Sequence, residues 1–178
     1  SIKVKESSRA FVHPSSGSQS LASSPTGAER GRAGFNEVGM SFTLRAALGF
    51  RSRMGPKTGL AVLRPLIDQL TGADRARAIL GALECARALS DEASYEAVLA
   101  QWVGVEATGM FEALAEEVGA ARTFSLRLAQ ELAHAERIRA PEDARAHYLL
   151  ARVSDGELRD ASYAKALLLA ARPPARES

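Results

Sequence analysis

Apolar positions recur with a helical period over the last two-thirds of the chain. Between Thr58 and Ala171 they return every three or four residues, the spacing that places them on one face of an α-helix. Turn-forming residues interrupt the pattern near 72, 90, 104–109, 119, 140 and 155. The pattern predicts an all-α protein, an array or bundle of six to seven short antiparallel helices behind an extended N-terminal arm.

Punctuating residues set the predicted ends of these helices. Asp91 suits an N-cap with an acid behind it, Gly119 suits a helix end, and Pro141 suits the first position of a helix. Thr58 is the predicted cap of the first helix of the series. The predicted helices cover 59–70, 73–89, a third from Asp91, 106–118, 121–138, a sixth from Pro141, and 157–171.

Aromatic residues are scarce, at 6% of the chain, so the core is expected to consist mainly of Ala and Leu. The large side chains on the inward stripes, and therefore the predicted core, are Tyr95, Trp102, Phe111, Phe124, Leu128 and Leu150. Cys85 is the single cysteine and is predicted to be a buried small hydrophobe. A lone thiol builds no disulfide framework, which favours an intracellular reducing compartment, cytoplasm or organelle interior.

The first part of the chain has a different composition. Residues 1–39 contain nine Ser and five Gly and cannot bury enough apolar surface to fold alone. Residues 40–56 form a short apolar and basic segment, either a helix that packs on its own domain or one that binds a partner or a membrane surface. The predicted division is an arm at 1–39, this segment at 40–56, a helical-hairpin domain at 57–173 and a tail at 174–178.

Charge also separates the two parts. Residues 1–57 hold nine Lys/Arg against three acids, a net +6, whereas the remainder holds 14 against 18, a net −4. A basic arm with spaced apolar anchors is typical of segments that wrap an acidic partner. The predicted partner-binding residues are Ile2, Val4, Phe11, Val12, Phe35, Phe42, Arg45, Arg51 and Arg53.

The helical region contains signs of a repeat. Ala93-Ser94-Tyr95 recurs as Ala161-Ser162-Tyr163, a displacement of twice the 34-residue tetratricopeptide period. Residues 144–173 resemble a degenerate tetratricopeptide unit, with His147 at the tryptophan position, Leu150-Ala151 at the leucine-glycine pair and Pro173 as the closing proline. Lys165 departs from the pattern at an aromatic position. The resemblance implies a helical superhelix whose concave face binds a peptide or partner protein; an irregular bundle is the alternative.

Catalytic signatures are missing from the sequence. It has no phosphate-binding glycine loop, paired-cysteine motif or nucleophile elbow, and no catalytic, cofactor-binding or metal-binding residue is predicted. Glu131 and His134 have the Glu-x-x-His spacing of di-metal bundles, but no second copy accompanies them, so His134 is expected on a solvated face. Glu116-Glu117 is likewise expected to face solvent or complement the helix dipole.

These observations favour a non-catalytic protein that binds another protein or a multi-subunit complex as an adaptor, assembly factor, chaperone or structural subunit. No small-molecule substrate and no cofactor is expected. One alternative is a helical metal protein or enzyme that uses Glu131 and His134. A second is a basic-arm binder of RNA or anionic lipid, with nucleic acid disfavoured because few aromatics accompany the charge. No apolar run is long enough for a membrane span, while peripheral membrane contact stays open.

Overall fold

Eight α-helices and one short 3-10 turn follow each other along the residues that the structure describes, which are 40–172. The computed structural model orders them as α1 (Phe42–Met54), α2 (Pro56–Ile67), α3 (Gly72–Ala88), α4 (Glu92–Leu99), the 3-10 turn (Trp102–Gly104), α5 (Phe111–Phe124), α6 (Leu126–Arg139), α7 (Ala144–Val153) and α8 (Gly156–Ala170). No strand occurs between residues 40 and 172. The all-α prediction is confirmed, and the arm at 1–39 lies outside the described residues.

Polar side chains cap three helices at their first turns. Ser41 caps α1, and Asp91 Oδ1 accepts the Ser94 N–H at 3.0 Å at the start of α4. The hydrogen bonds from Ser94 lower the pKa of Asp91 because they favour its charged form. Asp143 caps α7 in the same way. The predicted helix start at Asp91 is confirmed.

Four predicted helix starts are wrong. The helices predicted to begin at 106 and 121 begin at Phe111 and Leu126, and the other two errors involve a proline. Thr58 is not a cap, because α2 begins earlier, with Pro56 at its first position. Proline suits that position because its missing N–H has no partner in a helix's first turn. Pro141 does not open a helix; it lies in a turn ahead of α7, where Asp143 is the N-cap.

The predicted helix end at Gly119 is also wrong. Gly119 lies inside α5 on its exposed side. The helix ends instead at Phe124, and the backbone of Ser125 is extended, with φ of −155°. Glycine inside a helix costs only about 1 kcal/mol relative to alanine. Burial of Leu114 and Val118 on the opposite side of α5 exceeds that cost.

The helices pack mainly on their neighbours in the chain. The pairs α1–α2, α2–α3, α5–α6 and α7–α8 lie along each other, while α3 also contacts α5 and α4 also contacts α6. Short connections favour this arrangement, since they force successive helices to run alongside one another. Helices α1 and α8 stand at the two ends of this packing order.

The core contains most of the side chains predicted for it. Tyr95, Trp102, Leu128 and Leu150 are buried, as is Cys85, and burial raises the pKa of the Cys85 thiol. The prediction is corrected for two aromatics: Phe111 and Phe124 are only half-buried and pack against the edge of the core. The Phe124 ring lies 5.9 Å from that of Tyr95, centroid to centroid.

Two buried glutamates connect the helices. Glu117, predicted to face solvent, is buried and accepts hydrogen bonds from Arg87 Nε and Nη2 and from Tyr95 Oη, all at 3.1 Å. Burial raises the pKa of Glu117, although these hydrogen bonds oppose the shift. A full set of partners is what lets a carboxylate stand inside a core. The prediction failed because the adjacent acids gave no sign of Arg87 or Tyr95 facing them from other helices.

The second buried glutamate ties α6 to the 3-10 turn. Glu136 Oε2 accepts the Trp102 Nε1 proton at 2.8 Å, and Arg139 donates two hydrogen bonds to the same carboxylate at 2.7 Å each. The pair of bonds from one guanidinium fixes the plane of the carboxylate as well as its position. The hydrogen bond from Trp102 to Glu136 therefore fixes the orientation of α6 relative to the 3-10 turn.

Helix α1 is held by its inner face and by its N-terminus. Leu44 and Ala47 are buried, and the Ser41 N–H donates to Asp74 Oδ2 at 2.8 Å, which links α1 to α3. Gly59 marks a close approach of α1, α2 and α3, since a Cβ there would lie 2.7 Å from Arg51 Cγ and 2.9 Å from Cys85 Sγ. The outer face of α1 is exposed.

Candidate partner-binding groove

An open groove of about 610 Å³ lies between α6, the turn that joins α7 to α8, and the 3-10 turn after α4. Helix α6 supplies Glu131, His134, Ala135 and Ile138, whose spacing of three and four residues places them on one helix face. The facing walls are formed by Leu99, Val103, Leu150, Ser154, Asp155 and Leu158. We call this set of residues the groove.

Three large apolar side chains of the groove are exposed. Val103 of the 3-10 turn is 41% exposed, Ile138 of α6 is 50% exposed and Leu158 of α8 is 53% exposed. A single exposed apolar residue is ordinary on a protein surface. Three such residues, contributed by three elements and converging on one concavity, are typical of a binding groove.

The groove also holds a hydrogen-bonding group that the fold does not use. Ser154 is 5% exposed, and its Oγ has no hydrogen-bond partner among the described residues. A buried hydroxyl without a partner costs about 1–3 kcal/mol. The neighbouring Gln130, by contrast, donates through Nε2 to the Val153 carbonyl at 2.8 Å. The Ser154 oxygen is itself covered, so a group in the groove does not contact it unless the groove wall rearranges.

The charged side chains that line the groove are acidic. Glu131 and Asp155 are its two carboxylates, and no Lys or Arg lines it. Arg127, at the edge, donates to Glu131 at 2.6 Å and to Glu96 at 3.2 Å. The groove thus favours a cationic group at its acidic rim.

The geometry gives no metal centre in the described part of the chain. Glu131 and His134 do share the groove, as their spacing implies, and His134 is exposed as expected. However, Arg127 engages Glu131, and Arg137 Nη2 lies 3.4 Å from the His134 ring nitrogens. Over residues 40–172, no group of three or more His, Cys, Asp or Glu side chains is placed to hold a metal ion.

The sequence-predicted binding residues lie elsewhere. Phe42, Arg45 and Arg53 stand exposed on α1, whereas Arg51 turns toward α3 and pairs with Glu84. Ile2, Val4, Phe11, Val12 and Phe35 lie outside the described residues, so their role stays a prediction.

Sequence reasoning missed the groove itself. Val103, Ile138 and Leu158 stand off the inward stripes of their segments, a signal that is too common among surface residues to identify a site without the fold. Comparison of the chain with protein-family models, with curated proteins and with solved structures finds no match. None of the helices between residues 40 and 172 has the length and apolar character needed to cross a membrane.

Proposed function

We propose that this protein is a non-catalytic interaction module, an adaptor, assembly factor, chaperone or structural subunit, and that its groove binds an apolar, basic segment of a partner protein. The observation that carries the proposal is the convergence of Val103, Ile138 and Leu158 on one concavity that two carboxylates border. Function resides in such sites rather than in the fold.

The lining defines the chemistry of the bound segment. The exposed apolar residues suit two or three large apolar side chains spaced along one side of a helix or extended peptide. Glu131 and Asp155 suit a Lys or Arg at the edge of that segment. We therefore expect the groove to bind a segment that is both apolar and basic, and to discriminate against anionic and purely apolar ligands.

The groove is built to keep its shape. Its main wall is α6, which the hydrogen bond from Trp102 to the buried Glu136 holds against the 3-10 turn, while Arg139 of the same helix fixes the plane of the Glu136 carboxylate. A preformed groove loses less conformational entropy on binding than a mobile one, so more of the contact energy appears as affinity. This rigidity supports recognition of a defined segment.

We also propose that α7 and α8 form a degenerate tetratricopeptide-like hairpin. The support is local: two packed helices, a turn at Gly156 with φ of 58°, and the burial of His147 and Ser162. The two echoed tripeptides lie in different environments. Tyr95 of α4 is fully buried, whereas Tyr163 of α8 is half-buried and contacts Tyr148. Recognition by the groove does not depend on this resemblance.

Selection from a peptide display library against the full-length chain tests the groove. We expect enrichment of peptides with two or three large apolar residues and an adjacent Lys or Arg. The affinity of such a peptide should fall at least about tenfold in Leu158→Asp, because the change removes an apolar contact and places a charge in the groove.

The matched control is Leu168→Asp, the same substitution at another exposed leucine of α8 that does not line the groove. It should leave the affinity unchanged. No enriched peptide class, or equal loss of affinity in both variants, would contradict the proposal. Circular dichroism of both variants verifies that each retains its helices.

A further inference from the structure

Helix α1 exposes large apolar side chains along its outward side. Phe42 is 85% exposed, and Phe50 and Met54 are exposed as well, while the inner face of the same helix buries Leu44 and Ala47. Positions 42, 46, 50 and 54 follow each other at four-residue spacing, so they share one side of the helix. We call the residues Phe42, Arg45, Phe50, Arg53 and Met54 the α1 face.

Basic residues accompany this apolar side in the sequence. Residues 38–67 contain five Lys/Arg (Arg45, Arg51, Arg53, Lys57 and Arg64) and no Asp or Glu, whereas residues 68–172 contain twelve against seventeen, a net −5. The Arg53 guanidinium lies over the Phe50 ring, 5.9 Å from its centroid. The α1 face therefore carries positive charge and apolar surface in the same place.

We propose that the α1 face binds the surface of an anionic lipid bilayer. Arg45 and Arg53 would pair with lipid phosphates, and the rings of Phe42 and Phe50 would enter the boundary between headgroups and acyl chains. Buried apolar area and electrostatic attraction to anionic lipids together hold a helix at a membrane interface, and the phenylalanines and arginines of the α1 face supply these two contributions. This binding is separate from peptide recognition by the groove.

The shape of the surface favours a bilayer over an acidic protein. The α1 face is the outward side of a single helix at one end of the packing order, and the outward side of a helix is convex. Small residues, Ala46 and Gly49, separate its large ones, and the Arg53 side chain lies across Gly49. Long side chains over small ones can spread onto a flat surface, with the charged ends at the level of the phosphates.

Vesicle flotation with the full-length chain tests the proposal. The chain should float with vesicles that contain phosphatidylglycerol and not with vesicles of phosphatidylcholine alone, and high salt should release it. Arg45→Gln/Arg53→Gln should weaken binding about thirtyfold, because each charge near the surface contributes a factor of about five. Phe42→Ser/Phe50→Ser should weaken it at least as much.

Arg122→Gln/Arg159→Gln is the matched control, because it removes two exposed charges from α5 and α8 and should bind as the unaltered chain does. Leu158→Asp, which blocks the groove, should also bind vesicles normally. If the α1-face variants and the control variants bind vesicles equally well, vesicle binding comes from total charge or from another basic segment such as residues 1–39. That result would overturn the proposal. So would binding to an acidic polypeptide but not to vesicles.

A second measurement places the helix in the interface. Trp102 is buried and hydrogen-bonded to Glu136, so its emission should not respond to lipid. In Phe42→Trp, the added indole should bind as well as phenylalanine and shift its emission to shorter wavelength with anionic vesicles. An unshifted emission in vesicle-bound protein would show that the α1 face does not enter the bilayer, and would overturn the proposal.

Discussion

The α1 face and the groove both expose large apolar side chains, but they differ in curvature and in charge. The α1 face is convex, belongs to one helix and has arginines beside its phenylalanines. The groove is concave, is built by five helical elements and the turn between α7 and α8, and has carboxylates beside its leucines, isoleucine and valine. Judged by exposed apolar side chains alone, the two surfaces would be expected to bind the same kind of ligand. Because their shapes and charges differ, we propose different ligands for them, an anionic bilayer for the α1 face and a basic protein segment for the groove.

The two surfaces also differ in how the fold holds them. The groove depends on a charged network in the core beneath α6, whereas the α1 face depends on close packing with α2 and α3 at Gly59 and on the link from Ser41 to Asp74. A change to one support should therefore affect one surface and spare the other. The predictions below use this separation, from the largest expected effect to the smallest.

Removal of the Glu136 carboxylate should have the largest effect. In Glu136→Ala, the Arg139 guanidinium and the Trp102 N–H lose their shared acceptor in a buried place, which should lower the free energy of unfolding by about 3–5 kcal/mol. Urea unfolding measures the loss, and peptide binding by the groove should weaken with it. Glu142→Ala, which breaks an exposed pair with Arg172, should cost less than about 1 kcal/mol. Similar losses in both variants would show that the network does not support α6.

A methyl group at Gly59 should loosen α1. In Gly59→Ala, the new Cβ would meet Arg51 Cβ and Cγ, which lie near the backbone and cannot swing away, as well as Cys85 Sγ. Such overpacking should lower the free energy of unfolding by about 1–3 kcal/mol and weaken vesicle binding, with the groove unaffected. Gly119→Ala is the control, because nothing lies within 4 Å of its Cβ and it should instead stabilise α5 by up to about 1 kcal/mol. A stabilising Gly59→Ala would contradict the close approach.

The same glycines show what the sequence could and could not predict. The helical period and the cap at Asp91 act within a few residues, so the all-α fold and the start of α4 could be predicted from the chain alone. Gly119 and Gly59 both lie inside helices, yet a Cβ at Gly119 would meet nothing within 4 Å, whereas one at Gly59 would meet Arg51 and Cys85. Only the tertiary packing distinguishes them.

The candidate site was less predictable than the fold. The basic and apolar character of α1 was visible in the sequence, and Phe42, Arg45 and Arg53 do stand together on it. Arg51 could not be separated from them, because its partner Glu84 comes from another helix. The groove requires Val103, Ile138 and Leu158 to meet across three elements, and no spacing along the chain encodes that meeting.

Acidification should weaken the attachment of α1 through Asp74. Burial acts to raise the pKa of Asp74, but hydrogen bonds from Ser41 and Arg77 lower it by more, so the folded pKa lies below its ordinary value. The carboxylate therefore stabilises the fold above the unfolded pKa of about 3.9, and this stabilisation is lost as the pH falls through the folded pKa. Asp74→Asn should cost about 1 kcal/mol at pH 7, measured by urea unfolding, and progressively less below about pH 4. If Asp74→Asn lowers the free energy of unfolding equally at every pH, the effect comes from packing rather than from the charge. Asp68→Asn, at an exposed acid, is the control and should leave the free energy of unfolding unchanged.

Loss of Arg127 should alter binding more than stability. Arg127 bridges Glu92, Glu96 and Glu131 on the surface, and these hydrogen bonds and charges raise its pKa. Exposed pairs contribute little to folding, so the unfolding curve of Arg127→Gln should overlay that of the unaltered chain. The rim of the groove becomes more negative, and association with a basic peptide should accelerate about threefold at low salt and return to normal at high salt. Vesicle binding should not change, because the α1 face keeps its charges; a slower peptide association would mean that Arg127 itself contacts the peptide rather than shielding the rim.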